Sequence, residues 1–84
     1  MNYTVEWDPN ALQELAAIWL NAADRQAVTD AEARVDALLG TDPLRHGTPV
    51  AEGLYKLTVA PLTVYYSVDQ APRHVEVSKV TPSP

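Results

Sequence analysis

The spacing of apolar residues changes twice along the chain, and the changes divide it into elements. Tyr3, Val5 and Trp7 alternate with Thr4 and Glu6, which predicts a short, half-buried strand. Asp8-Pro9 then marks a helix start. An Asp oxygen can accept from free backbone N–H groups, and proline at the first helical position gives up a donor that has no partner there. Leu12, Leu15, Ala16 and Trp19 follow at helical spacing, with Ile18 widening the stripe. Residues 21–24 interrupt that pattern, and Asp24 is set to cap a second helix. In it Val28, Ala31, Val35, Leu38 and Leu39 share one face, and Gly40 is expected to end it in a left-handed conformation, with Pro43 just beyond.

Residues 44–52 read as a loop punctuated by Gly47 and Pro49. Two alternating runs, Leu54–Val59 and residues 62–68, are separated only by Ala60-Pro61, which predicts a hairpin with proline confined to its turn. Residues 69–72 make another turn, residues 74–80 a last strand, and residues 81–84 a flexible tail. The expected architecture is one α+β domain over residues 3–80 with the order β-α-α-β-β-β. Its antiparallel sheet would carry a helical hairpin packed on one face.

Alternation also sorts the two faces of that sheet. Tyr55, Leu57 and Val59, with Leu62, Val64, Tyr66 and Val68, form the set expected under the helices. Val75 and Val77 join them from the last strand, and Trp7 and Trp19 are expected as core anchors. Lys56, Thr58, Thr63, Tyr65 and Ser67 point the other way, with His74, Glu76 and Ser78 beside them and Lys79 escaping to the rim. An antiparallel sheet can leave one face wet, which makes this the expected place for function.

Composition narrows the classes. A chain of 84 residues supports one small core of marginal stability, so a partner that buries further surface would help. Cysteine is absent, which excludes disulfides and thiolate metal sites and fits a reducing compartment. The first residues lack the basic and apolar regions of a signal peptide, so a cytoplasmic protein is expected, with no membrane partner. With two histidines far apart in sequence, His46 and His74, neither a metal site nor a cofactor is expected.

The formal charge of −5 argues against a generic nucleic-acid binder, but it is unevenly spread. Residues 1–52 set Arg25, Arg34 and Arg45 against nine carboxylates, a balance of −6, whereas residues 53–84 set Lys56, Arg73 and Lys79 against Asp69 and Glu76, a balance of +1. A polyanion would therefore meet the second half.

The order and spacing of several segments resemble the RelE/ParE family of toxin–antitoxin toxins across residues 3–80. Residues 3–9 and 11–15 are similar to the family's opening strand and helix. Asp42-Pro43-Leu44, Gly47 and residues 53–59 are similar to its passage into the sheet, and residues 62–69 to its third strand. The resemblance implies a toxin of a type II module of the plasmid-stabilisation kind, held by a cognate antitoxin protein. It implies one of two activities: ribosome-dependent cleavage of messenger RNA with inhibition of translation, or inhibition of DNA gyrase without catalysis. A toxin-derived module that only binds a partner is the remaining alternative. Residue by residue, Lys56 keeps a basic position of the family and Lys79 stands for the basic residue of the last strand. Thr58 and Thr63 stand where basic residues are common, Ala60-Pro61 replaces a Gly-Asp-type turn, and the basic, aromatic terminal extension has no counterpart in residues 81–84.

Cleavage next to a 2′-hydroxyl needs a proton acceptor, positive charge on the developing phosphorane and a proton donor for the leaving oxygen. Lys56 and Lys79 are the candidate catalytic residues, as charge stabilisers. Tyr65 is a weaker candidate for stacking on a base, and His74 for moving protons. The plain alternative gives Lys56 a solvated place on a sheet face, Tyr65 a packing role and His74 a place near a turn. The alanines at positions 16, 17, 22, 23 and 27 offer shallow helix surface to an antitoxin, or are simply good helix formers.

Overall fold

The computed structural model describes residues 2–83. Its elements are β1 (Thr4–Trp7), α1 (Pro9–Asn21), α2 (Arg25–Thr41), α3 (Pro43–His46), β2 (Thr48–Ala51), β3 (Leu54–Val59), β4 (Leu62–Gln70) and β5 (Arg73–Pro82). Among the described residues the strands form one five-stranded sheet in the order β1-β5-β4-β3-β2. The class is α+β with helices on one face, as the spacing of apolar residues implies.

Both helix starts follow from their caps. Asp8 Oδ1 accepts from Ala11 N at 3.0 Å, and Asp24 Oδ1 accepts from Ala27 N at 3.1 Å. The end of α2 differs from expectation. Gly40 lies inside the helix, and Gly53, at φ 75° in the turn from β2 to β3, is the glycine with positive φ. The Gly40 carbonyl ties the start of β1 to the end of α2, accepting from Tyr3 N at 2.7 Å.

Three further features depart from the sequence reading. The expected loop at 44–52 contains a one-turn helix, α3, which begins on Pro43, and an edge strand, β2. Neither could show in the spacing, because α3 has one turn and all four residues of β2 are exposed. The sheet is mixed: β1 lies parallel to β5, with Thr4 opposite His74 and Trp7 opposite Val77. The helices between β1 and the later strands carry the chain back across the sheet, which permits a parallel pairing. Finally, β5 runs into the expected tail. Thr81 pairs with Thr63, Pro82 with Leu62, and Ser83 N donates to the Pro61 carbonyl at 2.8 Å. The strand continues because β4 offers partners back to Leu62; Pro84 lies outside the described residues.

The core lies between α2 and the middle of the sheet. Val28, Val35 and Leu39 of α2 are fully buried against Leu62, Val64 and Tyr66 of β4 and Val75 and Val77 of β5. Tyr66 fixes the short helix to this core. Its hydroxyl donates to the Pro43 carbonyl at 2.6 Å, and its ring stacks on Tyr55 with centroids 5.8 Å apart. Burial, with Tyr55 as a lesser cause, pushes the Tyr66 phenol up to about 12. Gly47 passes so close that an added Cβ would overlap this hydroxyl and lie 2.7 Å from the ring carbon that bears it. Trp7 packs at the margin of the core and donates from Nε1 to Asp36 Oδ1 at 2.8 Å. Trp19 does not become a core anchor. It stays 39% exposed on α1, with the Arg25 guanidinium 4.7 Å above its ring.

Candidate functional site

The face of the sheet away from the helices is arranged in rows that cross the strands. One row is Thr48, Lys56, Tyr65 and Lys79, each opposite the next across β2, β3, β4 and β5. Opposed side chains on neighbouring strands sit about 5 Å apart at Cβ, so the two lysines flank Tyr65 across roughly 10 Å. Both lysines are exposed and Tyr65 is half-buried. Among the described residues neither lysine takes part in a salt bridge.

Lys79 owes its place to a bulge. Strict alternation after Val75 and Val77 would send residue 79 towards the helices. The β4–β5 register shifts there: Tyr66 pairs with Val77 and Tyr65 with Lys79, leaving Ser78 as the extra residue. That insertion turns Lys79 onto the open face opposite Tyr65 and returns Val80 to the core, where it is 2% exposed. Lys79 is therefore a member of the row and stands at its rim, where it borders Asn10, Gln13 and Glu14 of α1. Past the end of β1, the outer edge of β5 is capped by Glu14 of α1, whose Oε1 accepts from Val80 N at 2.8 Å.

A second row, Thr58, Thr63 and Thr81, lies towards the hairpin turn. The Thr58 and Thr63 hydroxyls are 2.9 Å apart and bonded to each other. These are the positions where the resemblance implies lost basic residues, and the pair now satisfies itself.

His74 stands elsewhere. It faces Asp69 across β4 and Thr4 across β1, about 15 Å along β5 from Lys79 at the usual strand rise. Its Nε2 lies 2.9 Å from Glu6 Oε1. Between it and the lysines runs a row of Ser67, Glu76 and Glu6, in which the two carboxylates are directly opposite one another. The structure thus brings Lys56, Tyr65 and Lys79 together and leaves His74 out, inside an acidic patch of Glu6, Asp69 and Glu76. His46 ends α3, two residues before Thr48 of the lysine row and outside the strands.

Two parts of this surface had no signal in the sequence. Glu6 meets His74 only because β1 docks beside β5, a pairing between residues 68 apart. Thr48 joins the lysine row only because β2 forms. The Ser78 bulge had one legible sign: Val80 follows Val75 and Val77 out of step, and a strand that buries all three needs an inserted residue.

No sequence-family model matches the chain, and no curated protein sequence matches it. Solved structures do. A chain of the RelBE2 toxin–antitoxin complex of Mycobacterium tuberculosis superposes with a TM-score of 0.82 at 19% identity, covering 98% of this chain and 99% of its own. The chromosomal ParDE toxin–antitoxin system of P. aeruginosa gives 0.77 at 18% identity, covering 98% and 97%. The isolated E. coli RelE toxin gives 0.67 at 16% identity, covering 98% and 85%. The chain has the fold of the RelE/ParE toxins. Among the described residues no helix is long and apolar enough to cross a membrane.

Proposed function

We propose that this chain is the toxin component of a type II toxin–antitoxin module, held by a cognate antitoxin in the cytoplasm, and that it cleaves messenger RNA on the ribosome. The observation that carries this reading is the row Lys56–Tyr65–Lys79 on the open face. Two ammonium groups on either side of a phenol can hold an RNA strand by its phosphates while one base rests on the ring. Their charge is also placed to stabilise the phosphorane that forms when a 2′-hydroxyl attacks its own phosphodiester. The row contains neither carboxylate nor imidazole, and His74 is engaged with Glu6 at a distance. The proton steps then fall to groups outside the row, which suits a reaction confined to the ribosome.

A second reading, inhibition of DNA gyrase without catalysis, is favoured by the acidic patch of Glu6, Asp69 and Glu76 on the same face. An RNA strand that ran from the lysine row towards His74 would meet three carboxylates. A protein target tolerates such a patch, and the ParDE likeness is consistent with it.

Induced expression in a bacterial host separates these readings, with a Lys56→Ala, Lys79→Ala variant alongside. Growth arrest relieved by the double variant, with cuts in ribosome-bound messenger RNA, is the expected result. Arrest that persists in the double variant, with loss of supercoiling by purified gyrase, supports the second reading. Absence of arrest from a folded chain defeats both and leaves a partner-binding module.

A further inference from the structure

The outer edge of β5 changes neighbour part-way along. β1 ends with Trp7 opposite Val77, and Asp8 N donates to the Val77 carbonyl at 2.9 Å. Beyond that point α1 takes the place of a strand. Asn10, Gln13, Glu14 and Ala17 recur at helical spacing along one side of it. With Ser78 and Lys79 they line an open cleft of about 550 Å³. Lys79 belongs both to this cleft and to the row with Tyr65 and Lys56, so the two form one continuous surface.

The polar groups of the cleft are largely uncommitted. Among the described residues the side-chain amides of Asn21 and Gln26 are hydrogen-bonded, whereas those of Asn10 and Gln13 are exposed and have no partner. Glu14 is partly engaged, because its Oε1 accepts from Val80 N at 2.8 Å, and that bond holds α1 against β5 with the amides beside the lysine. An amide presents one donor next to one acceptor. Adenine offers the complement on two edges, since its N6 amino donor lies between the acceptors N1 and N7. Guanine offers two acceptors, O6 and N7, on one edge, and on the other two donors beside O6, of which an amide meets only part. Cytosine and uracil have one such edge and a smaller ring.

We propose that this cleft takes the base next to the one stacked on Tyr65 and selects adenine, with Asn10 and Gln13 reading its edge. A strand whose phosphate sits at Lys79 carries one base over Tyr65 and the next past the edge of β5 towards α1. The other course along β5, over Glu76 and its opposite Glu6, meets carboxylates. Asn10 and Gln13 are specificity residues, and Glu14 is a positioning residue that acts through Val80 N. The inference rests on the RNA reading of the lysine row and adds the base that the site prefers.

The test uses the full chain and short, fluorescently labelled uridine strands that carry one adenosine, guanosine or cytidine at the centre. Binding is read by fluorescence anisotropy at low salt, where phosphate contacts are strongest. The adenosine strand is expected to bind about tenfold more tightly than the guanosine strand. N10A/Q13A, at two exposed positions, is expected to bring that ratio to one. Gln26→Ala removes an amide from α2 outside the cleft and is expected to keep the ratio. Lys56→Ala is expected to weaken all strands alike and to keep it too. Equal binding of the strands, preference for guanosine, or a preference that survives N10A/Q13A overturns the proposal. Binding that weakens with Lys56→Ala but shows no preference defeats the cleft and leaves the RNA reading standing. Absence of binding by every strand also overturns the proposal, and the growth-arrest experiment then decides the RNA reading by itself.

Discussion

On the helix-covered face of β4, Leu62, Val64 and Tyr66 are all fully buried, whereas the residues between and beyond them on the open face run from the nearly buried Thr63 to the exposed Ser67 and Asp69. The first set is constrained by shape: each side chain fills space left by α2, and a change of one methylene is felt. The second set is constrained only by its neighbours across the strands. Residues there can form a bonded pair of threonines, or gather three carboxylates beside a histidine, without entering the packed face. Solved structures below 20% identity share this architecture, which is what that division of labour permits.

The packed face can be broken most severely at Gly47. A Cβ added there would overlap the hydroxyl of the fully buried Tyr66 and lie 2.7 Å from the ring carbon that bears it. Gly47→Ala is therefore expected to displace Tyr66 and to cost about 3 kcal/mol, read by circular dichroism in denaturant. Tyr66→Phe is a smaller insult to the packed face. It leaves the Pro43 carbonyl without its donor and is expected to cost about 1–2 kcal/mol in denaturant unfolding. Its pH signature is distinctive. The folded phenol lies raised from 10.0 to about 12, so its contribution is complete below pH 10 and is lost as pH rises through about 12. Tyr66→Phe should remove that alkaline part.

Glu32→Gln acts in the opposite direction and more weakly. Because the folded carboxyl is raised above 4.5, the charged group opposes folding at neutral pH and is relieved as pH falls through the raised value. The variant should be slightly more stable at pH 7, by less than about 1 kcal/mol for a carboxyl that is only partly buried, with the gain gone near pH 4 in urea melts. On the open face, Lys56→Ala and Lys79→Ala are expected to change stability by less than about 0.5 kcal/mol while abolishing growth arrest. A large stability loss there would erase the contrast between the faces.

Much of this was legible in the sequence for a physical reason. The caps Asp8 and Asp24, the stripe Val28–Ala31–Val35–Leu39 and the alternation of β3 and β4 are local signals, and each maps onto an element of the structure. What escaped was non-local or too short. One turn of helix at Pro43–His46 has no period, the exposed β2 has no apolar alternation, and the docking of β1 beside β5 joins the ends of the sequence. Trp19 misled because a tryptophan in a helical stripe ordinarily faces inward, whereas here Ala11, Leu15 and Ile18 take that role. On the open face, Lys56 and Tyr65 could be read from alternation, but the place of Lys79 beside them and their separation from His74 could not, since the bulge and the register of β5 set both.

The position of β5 bears on the order in which the protein can be made. This strand lies between β4 and β1 and supplies Val75, Val77 and Val80 to the core, yet it is synthesised after every element it touches. Until Pro82 has emerged, β1 has no neighbour in the sheet and α1 and α2 have only part of the surface they cover. The helices and the β3–β4 hairpin can form as the chain appears, but closure waits for the last contacts of long sequence separation. Nascent chains halted before β5 are therefore expected to lack both the lysine row and the core that supports it. Folding and the assembly of the candidate site would be completed together.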